Sequence, residues 1–143
     1  MTKRGSSGLS LLLAIDKPKG MTSHDVVNRV RQITGERRVG HAGTLDPLAT
    51  GVLIVCLGRA TKQAEALQAQ PKEYLTTLAL GATTPSFDME HPVDRTFPYE
   101  HITRQMLEEA LRAMEGEQMQ LPPVYSAKSI DGKRAYEYAR QGT

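Results

Sequence analysis

One stretch of the chain gathers residue types that can do chemistry into a small space. It reads Val39-Gly-His-Ala-Gly-Thr-Leu-Asp-Pro-Leu-Ala-Thr-Gly51. Asp46 is a lone carboxylate flanked by glycines and followed at once by a proline, with His41 five residues before it. A carboxylate is charged at neutral pH and can serve as a nucleophile or a base, and a neutral imidazole offers one donor and one acceptor. Glycines let the backbone approach a ligand closely, and loops at the rim of a sheet commonly carry function. The same residues admit a second reading, an Asx turn in which Asp46 bonds its own backbone ahead of Pro47.

Other chemistries find less support. His24, His41, His91 and His101 never fall at the i, i+4 spacing of a helical metal site, and Cys56 is the single cysteine. No metal is therefore expected. Gly40-His-Ala-Gly43 lacks the Lys-Ser/Thr ending of a phosphate-binding loop, and no serine stands in a Gly-x-Ser-x-Gly elbow.

The elements that must position Asp46 follow from the apolar pattern. Residues 9–15 read as a first strand, closed by the Pro-Lys-Gly turn at 18–20. Ser23 is a candidate N-cap for a helix with Val26, Val27, Val30 and Ile33 on one face, ending at Gly35. Residues 36–50 show no period and read as a loop. Val52-Leu-Ile-Val-Cys-Leu57 is a continuous apolar run between Gly51 and Gly58, which predicts a strand buried on both faces with Cys56 as a core thiol. A short helix is expected over 61–69, a strand over 74–80 and a long polar loop over 81–98. Thr103 should cap a helix whose Met106, Leu107, Ala110, Leu111 and Met114 face a core. An edge strand over 122–127, a turn at Asp131-Gly132 and a last helix over 134–140 complete the pattern. Strands and helices without regular alternation predict an α+β fold.

The chain has 143 residues, 18 Lys+Arg and 16 Asp+Glu. That length suits one ordinary domain, and a single cysteine suits a reducing cytoplasm. Lys3-Arg4 before the apolar run at 9–15 resembles the start of a signal peptide, but the run is too short to span a membrane and Asp16-Lys17-Pro18-Lys19 follows it. The charge is unevenly spread. Residues 1–62 carry ten basic and four acidic side chains, residues 63–120 four and ten, and residues 121–143 four and two. A basic front part points to a polyanionic partner, or simply to solvated surface.

The stretch from Gly40 to Gly51 resembles the catalytic motif of the TruB family of pseudouridine synthases. Lys17-Pro-Lys-Gly-Met-Thr-Ser23 resembles the family's N-terminal motif, and Gly58-Arg-Ala-Thr-Lys62 its continuation after the central strand. Lys72-Glu-Tyr74 resembles the segment with its active-site tyrosine. Leu121-Pro-Pro-Val-Tyr-Ser-Ala-Lys128 and Gly132-Lys-Arg-Ala-Tyr-Glu-Tyr-Ala-Arg140 resemble its later blocks. The likeness runs in order through residues 9–143 and leaves residues 1–8 as a tail.

The resemblance implies an α+β pseudouridine synthase fold with a mixed, mostly antiparallel sheet flanked by helices. It implies a substrate, the T-loop uridine at tRNA position 55, with the tRNA T-arm as partner. Asp46 falls on the aspartate that attacks the uridine, at the pyrimidine ring or at the sugar. Tyr74 falls on the tyrosine that stacks on the flipped base and helps move a proton. His41 falls on a histidine that holds the nucleotide out of its stack, which costs a few kcal/mol of stacking to open. Lys17, Lys19, Arg59, Lys62, Lys128, Lys133 and Arg134 lie in or beside the matching blocks and become candidates for gripping RNA phosphates. The family uses no metal and no organic cofactor. A cytoplasmic enzyme, monomeric at full length and without a membrane segment, is expected.

Two departures stand out. Thr83-Thr-Pro-Ser-Phe-Asp88 keeps a family Asp at 88 but has Pro85 where an earlier Asp is common. Family members also run to about twice this length and later carry a Tyr-x-Arg element, whose arginine pairs with the catalytic aspartate. The chain is thus expected to be the N-terminal part of a catalytic domain, inactive alone and with open sheet edges. Ala42 and Leu48-Ala49-Thr50 favour the bacterial type. The rival expectations are a non-catalytic RNA-binding module of the same fold and a guide-RNA-dependent subunit.

Overall fold

The structure, a computed structural model, describes residues 7–124 and the backbone of residues 129–130 and 133–134. The chain forms two compact units, residues 1–75 and 76–143.

The first unit is built around a three-stranded antiparallel sheet of order β1-β3-β2. Its strands are β1 (Leu11–Lys17), β2 (Val39–Ala42) and β3 (Gly51–Leu57). The central β3 pairs with both neighbours, Leu13 opposite Val55 on one side and His41 opposite Val55 on the other. Helix α1 (Ser23–Thr34) covers one face. Its Val26, Val27 and Val30 pack with Val39, Leu53, Val55 and Leu57, and Leu11, Leu13, Ile15, Met21 and Leu45 border this core. Burying each such valine contributes about 1.5–3 kcal/mol, so the α1 face is the main reason the sheet has a fixed partner.

Both ends of α1 are closed by local chemistry. Thr22, not Ser23, is the N-cap: its hydroxyl accepts from the Asp25 amide at 3.0 Å, and the Asp25 carboxylate accepts from the Thr22 amide at 2.9 Å. The difference of one residue frees Ser23 for another role described below. Gly35 ends the helix at φ 69°, and its amide donates to the Arg31 carbonyl at 2.9 Å.

Several details depart from the sequence reading. Residues 39–42, read as loop, form β2, because the adjacent β3 offers a ladder that overrides their weak strand propensity. Strand β1 alternates between half-buried and exposed positions up to the buried Lys17, and Ile33 and Val52 point outward at 71% and 70% exposure. Cys56 is buried in the core, and burial pushes its thiol pKa up. After β3 a 3-10 turn spans Gly58–Gln63 and α2 spans Ala64–Gln68, close to the expected short helix. Residues 71–79 form neither helix nor strand and are exposed along their length, with Leu75 fully so. The expected strand over 74–80 therefore does not form: no neighbouring strand among the described residues takes up its backbone groups.

In the second unit the polar loop holds a two-residue ladder, β4 (Ala82–Thr83) against β5 (Arg95–Thr96). Helix α3 (Arg104–Ala113) is capped by Thr103, whose hydroxyl accepts from the Met106 amide at 3.2 Å. Its Met106, Leu111 and Met114 are exposed and not in a core as the pattern predicted. Strands β6 (Ser129–Ile130) and β7 (Lys133–Arg134) pair antiparallel, in agreement with a tight connection. Arg134 thus lies in a strand and does not start a helix. The rest of that expected helix, the turn residues 131–132 and the second half of the strand expected over 122–127 lie outside the described residues. Every strand pair among the described residues is antiparallel, and the architecture is α+β. No helix among them is long and apolar enough to cross a membrane.

Candidate active site

The loop of residues 43–50 joins β2 to β3 at the end of the sheet where β1 also finishes. It opens at Gly43, φ 84°, and closes at Gly51, φ 119°. Both values lie in the region that L side chains rarely adopt, so glycine permits the two bends.

Three independent ties fix the backbone on either side of Asp46. Ser23, buried at the start of α1, donates from Oγ to the Leu45 carbonyl at 3.1 Å and accepts from the Leu45 amide at 3.0 Å. The Pro47 carbonyl accepts from the Gly20 amide at 2.7 Å. Within the loop, the Ala49 amide donates to the Asp46 carbonyl at 3.0 Å. The residue before Asp46 and the residue after it are each held by another segment of the chain.

Lys17 completes this support. It is fully buried, and its ammonium donates to the carbonyls of Pro18 at 2.9 Å, Met21 at 2.7 Å and, more weakly, Pro47 at 3.4 Å. Three donors meet three carbonyl oxygens, so the ammonium is spent inside the protein. The expectation that Lys17 grips RNA is thereby corrected. A charge with no solvent-facing surface and no free donor cannot reach a phosphate, and Lys17 instead braces the turn and the Asp46 loop.

The Asp46 side chain is exposed and forms no hydrogen bond or ion pair among the described residues. The self-satisfied Asx turn does not form. The outcome is a carboxylate on a fixed backbone with its lone pairs open. His41, half-buried on β2, bonds through Nδ1 to the Gly43 carbonyl. A carbonyl only accepts, so Nδ1 carries the proton and Nε2 is left open as an acceptor.

The remaining candidates fall in different places. Lys19 is exposed in the turn beside Gly20, whose amide holds Pro47, so it stands at the Asp46 end of the sheet. Arg59 and Lys62 are exposed on the 3-10 turn, where residues three apart eclipse and share a face. Tyr74 is 67% exposed on the unpaired segment and its hydroxyl forms no hydrogen bond among the described residues, so this structure does not fix it in the site. Lys128 and the side chains of Lys133 and Arg134 lie outside the described residues.

Sequence reasoning missed two contributors. Ser23 looked like a helix cap, and only the tertiary structure shows it latching Leu45. Lys72 lies with its Cε 3.7 Å from where a Cβ on Gly43 would stand, which brings a cation to the mouth of the loop. Its ammonium also donates to the Gln68 carbonyl and to that of Gln70 at 3.3 Å.

In the second unit Asp88 organises its own loop, accepting from Ser86 Oγ at 2.7 Å and the Glu90 amide at 2.9 Å. With Glu90 and His91 it brings ligand atoms within 4.8 Å of one another, an arrangement common among surface acids.

Fold and site together define an α+β protein whose antiparallel sheet ends in a braced loop presenting an unpaired carboxylate, with an imidazole on the adjoining strand. The family model of the TruB family pseudouridylate synthase (N terminal domain) matches residues 31–143, and the chain belongs to that family. It is 55% identical over 137 residues to the tRNA pseudouridine synthase B of Phocaeicola vulgatus, covering 92% of this chain and 58% of that protein. It is 53% identical to the protein of the same name from Parabacteroides distasonis, again with 92% and 58% coverage. Against the Deinococcus deserti protein of that name the identity is 50% over 131 residues, with 92% and 42% coverage. The chain thus spans well under two thirds of the length of these relatives.

Proposed function

We propose that the protein is a tRNA pseudouridine synthase that isomerises the T-loop uridine at position 55, with Asp46 as its nucleophile. The observation that carries this reading is the Asp46 loop: its backbone is tied on both sides while its carboxylate stays exposed and unpaired. Support also comes from family membership and from the relatives, which are tRNA pseudouridine synthases. Preorganisation of this kind is what a nucleophile needs, since holding reacting atoms in place removes several kcal/mol from a barrier.

The chemistry is an isomerisation and needs no oxidant or metal. An Asp46 oxygen bonds to the uridine, the bond between N1 and the ribose breaks, and the freed base turns. Carbon 5 then bonds the ribose, the Asp46 oxygen leaves, carbon 5 gives up its proton and N1 gains one. A carboxylate suits this because it both attacks and departs at neutral pH. His41 is proposed to bond the extruded nucleotide through Nε2, and Tyr74 to supply a flat face for the base once the segment around it is held. Lys19, Arg59 and Lys62 are proposed RNA contacts, with Lys128, Lys133 and Arg134 as further candidates from the resemblance. The enzyme is proposed to act as a cytoplasmic monomer. Residues 9–143 are proposed as the N-terminal part of its catalytic domain, with little activity on their own.

The test is release of tritium from tRNA carrying 5-labelled uridine, incubated with the whole gene product and no other protein or guide RNA. Stoichiometric release, confined to tRNA with an intact T-loop, is expected. Binding without release would refute the catalytic reading.

A further inference from the structure

The two ends of the first sheet differ in charge and in what covers them. The Asp46 loop sits where β2 ends and β3 begins. At the other end, seven residues along β3 and about 20 Å away at ~3.3 Å per residue, three arginines stand on neighbouring segments. Arg37 and Arg38 precede β2, and Arg59 follows β3. The pairing of Val39 with Leu57 and the bond from the Gly58 amide to the Arg38 carbonyl at 2.8 Å place these segments side by side.

All three arginines are exposed, and none has a carboxylate within ion-pair distance among the described residues. Their backbone, in contrast, is held firmly. Arg31 donates from Nε to the Arg37 carbonyl at 3.2 Å and from Nη2 to the Val39 carbonyl at 2.9 Å. The Glu36 carboxylate is turned inward, where it accepts from the Arg38 amide at 3.1 Å and from the Ser7 amide at 2.8 Å. The nearest acid is thus withdrawn from the surface, and a neighbouring arginine is used as a brace. What is left outside is three exposed guanidiniums carried on adjacent, firmly held segments.

From this arrangement we infer that Arg37, Arg38 and Arg59 form a second phosphate-contact surface for structured RNA, at the end of the sheet remote from Asp46. Guanidiniums bind phosphate in a fork geometry and release counterions as they do so. A contact about 20 Å from the reacting carboxylate grips backbone outside the target loop, so it orients the RNA instead of reading the uridine. The inference rests on the RNA-modifying reading above and adds Arg37 and Arg38 to the residues that reading employs.

The experiment measures affinity of the chain for a fluorescently labelled T-arm hairpin RNA between 50 and 200 mM KCl. The unsubstituted chain is compared with Arg37→Gln/Arg38→Gln/Arg59→Gln and with the single variants Arg37→Gln and Arg59→Gln. Loss of three phosphate contacts should reduce the slope of log affinity against log salt by about 2.1–2.7. The ratio of Kd at 200 mM to Kd at 50 mM should then shrink roughly 20- to 40-fold. Each single variant should reduce the slope by about 0.7–0.9, which preserves the test if the triple variant folds poorly. Slopes equal to that of the unsubstituted chain would overturn the inference while RNA binding stands. Failure of the unsubstituted chain to bind the RNA would overturn the underlying reading as well.

Discussion

Replacing Ser23 by alanine unlatches the Asp46 loop without touching any group proposed to meet the substrate. The hydroxyl makes two bonds to Leu45, one to its amide and one to its carbonyl, in a buried position. Alanine removes both and leaves two part-buried backbone groups of Leu45 without these partners. Each such loss costs about 1–3 kcal/mol, so the destabilisation should total about 2–6 kcal/mol. For a unit of this size each kcal/mol lowers Tm by about 4–8 °C, and calorimetry or circular dichroism should register a drop of at least ~8 °C. Activity should fall further than stability alone requires. Leu45 adjoins Asp46, and a misplacement of about 1 Å at a reacting group costs on the order of 100-fold in rate. Tritium release by the Ser23→Ala gene product, measured well below its Tm, should therefore drop on the order of 100-fold in kcat. Wild-type melting together with wild-type kcat would refute the claim that Ser23 positions the loop.

Other predictions follow from the same geometry. Lys17→Met keeps most of the side-chain volume but strands the Pro18 and Met21 carbonyls, and should lower stability by about 2–4 kcal/mol in a denaturant titration. Gly58→Ala should also destabilise the first unit: at φ 60° a Cβ would collide with the Leu9 carbonyl, a backbone atom that would have to shift, and the loss is measurable as a lowered Tm. Hydrogen bonds from the Thr22 amide and hydroxyl-linked cap hold the Asp25 carboxyl below its ordinary value of 3.8. A depressed carboxylate stabilises the fold above its unfolded pKa, so this contribution to α1 should be present at neutral pH and fade as pH falls below about 3.8. Asp25→Asn should flatten that acid limb in thermal melts recorded from pH 6 to pH 2.5.

Much of the fold was legible because it depends on local pattern. The valines of α1 announced their face, and the apolar run between Gly51 and Gly58 announced β3. What failed was non-local. The residues of β2 carry little strand propensity and become a strand because β3 lies beside them. The segment over 74–80 has strand propensity and stays unpaired, because a strand also needs a neighbour. The site divides in the same way. Asp46 and His41 stood out by type and spacing. Lys17 read as a candidate RNA contact, and nothing local reveals that three carbonyls converge on its ammonium from a turn, a helix entry and a loop some thirty residues away. Ser23 was misread for a related reason, since a serine before a helical stripe fits a cap as well as a latch.

The most direct test of the central claim is the activity of Asp46→Ala measured beside its RNA affinity. Tritium release from 5-labelled T-loop uridine by the whole gene product should vanish, while its Kd for the T-arm hairpin stays within a few-fold of wild type. Continued release at a comparable rate would contradict the assignment of Asp46 as the nucleophile.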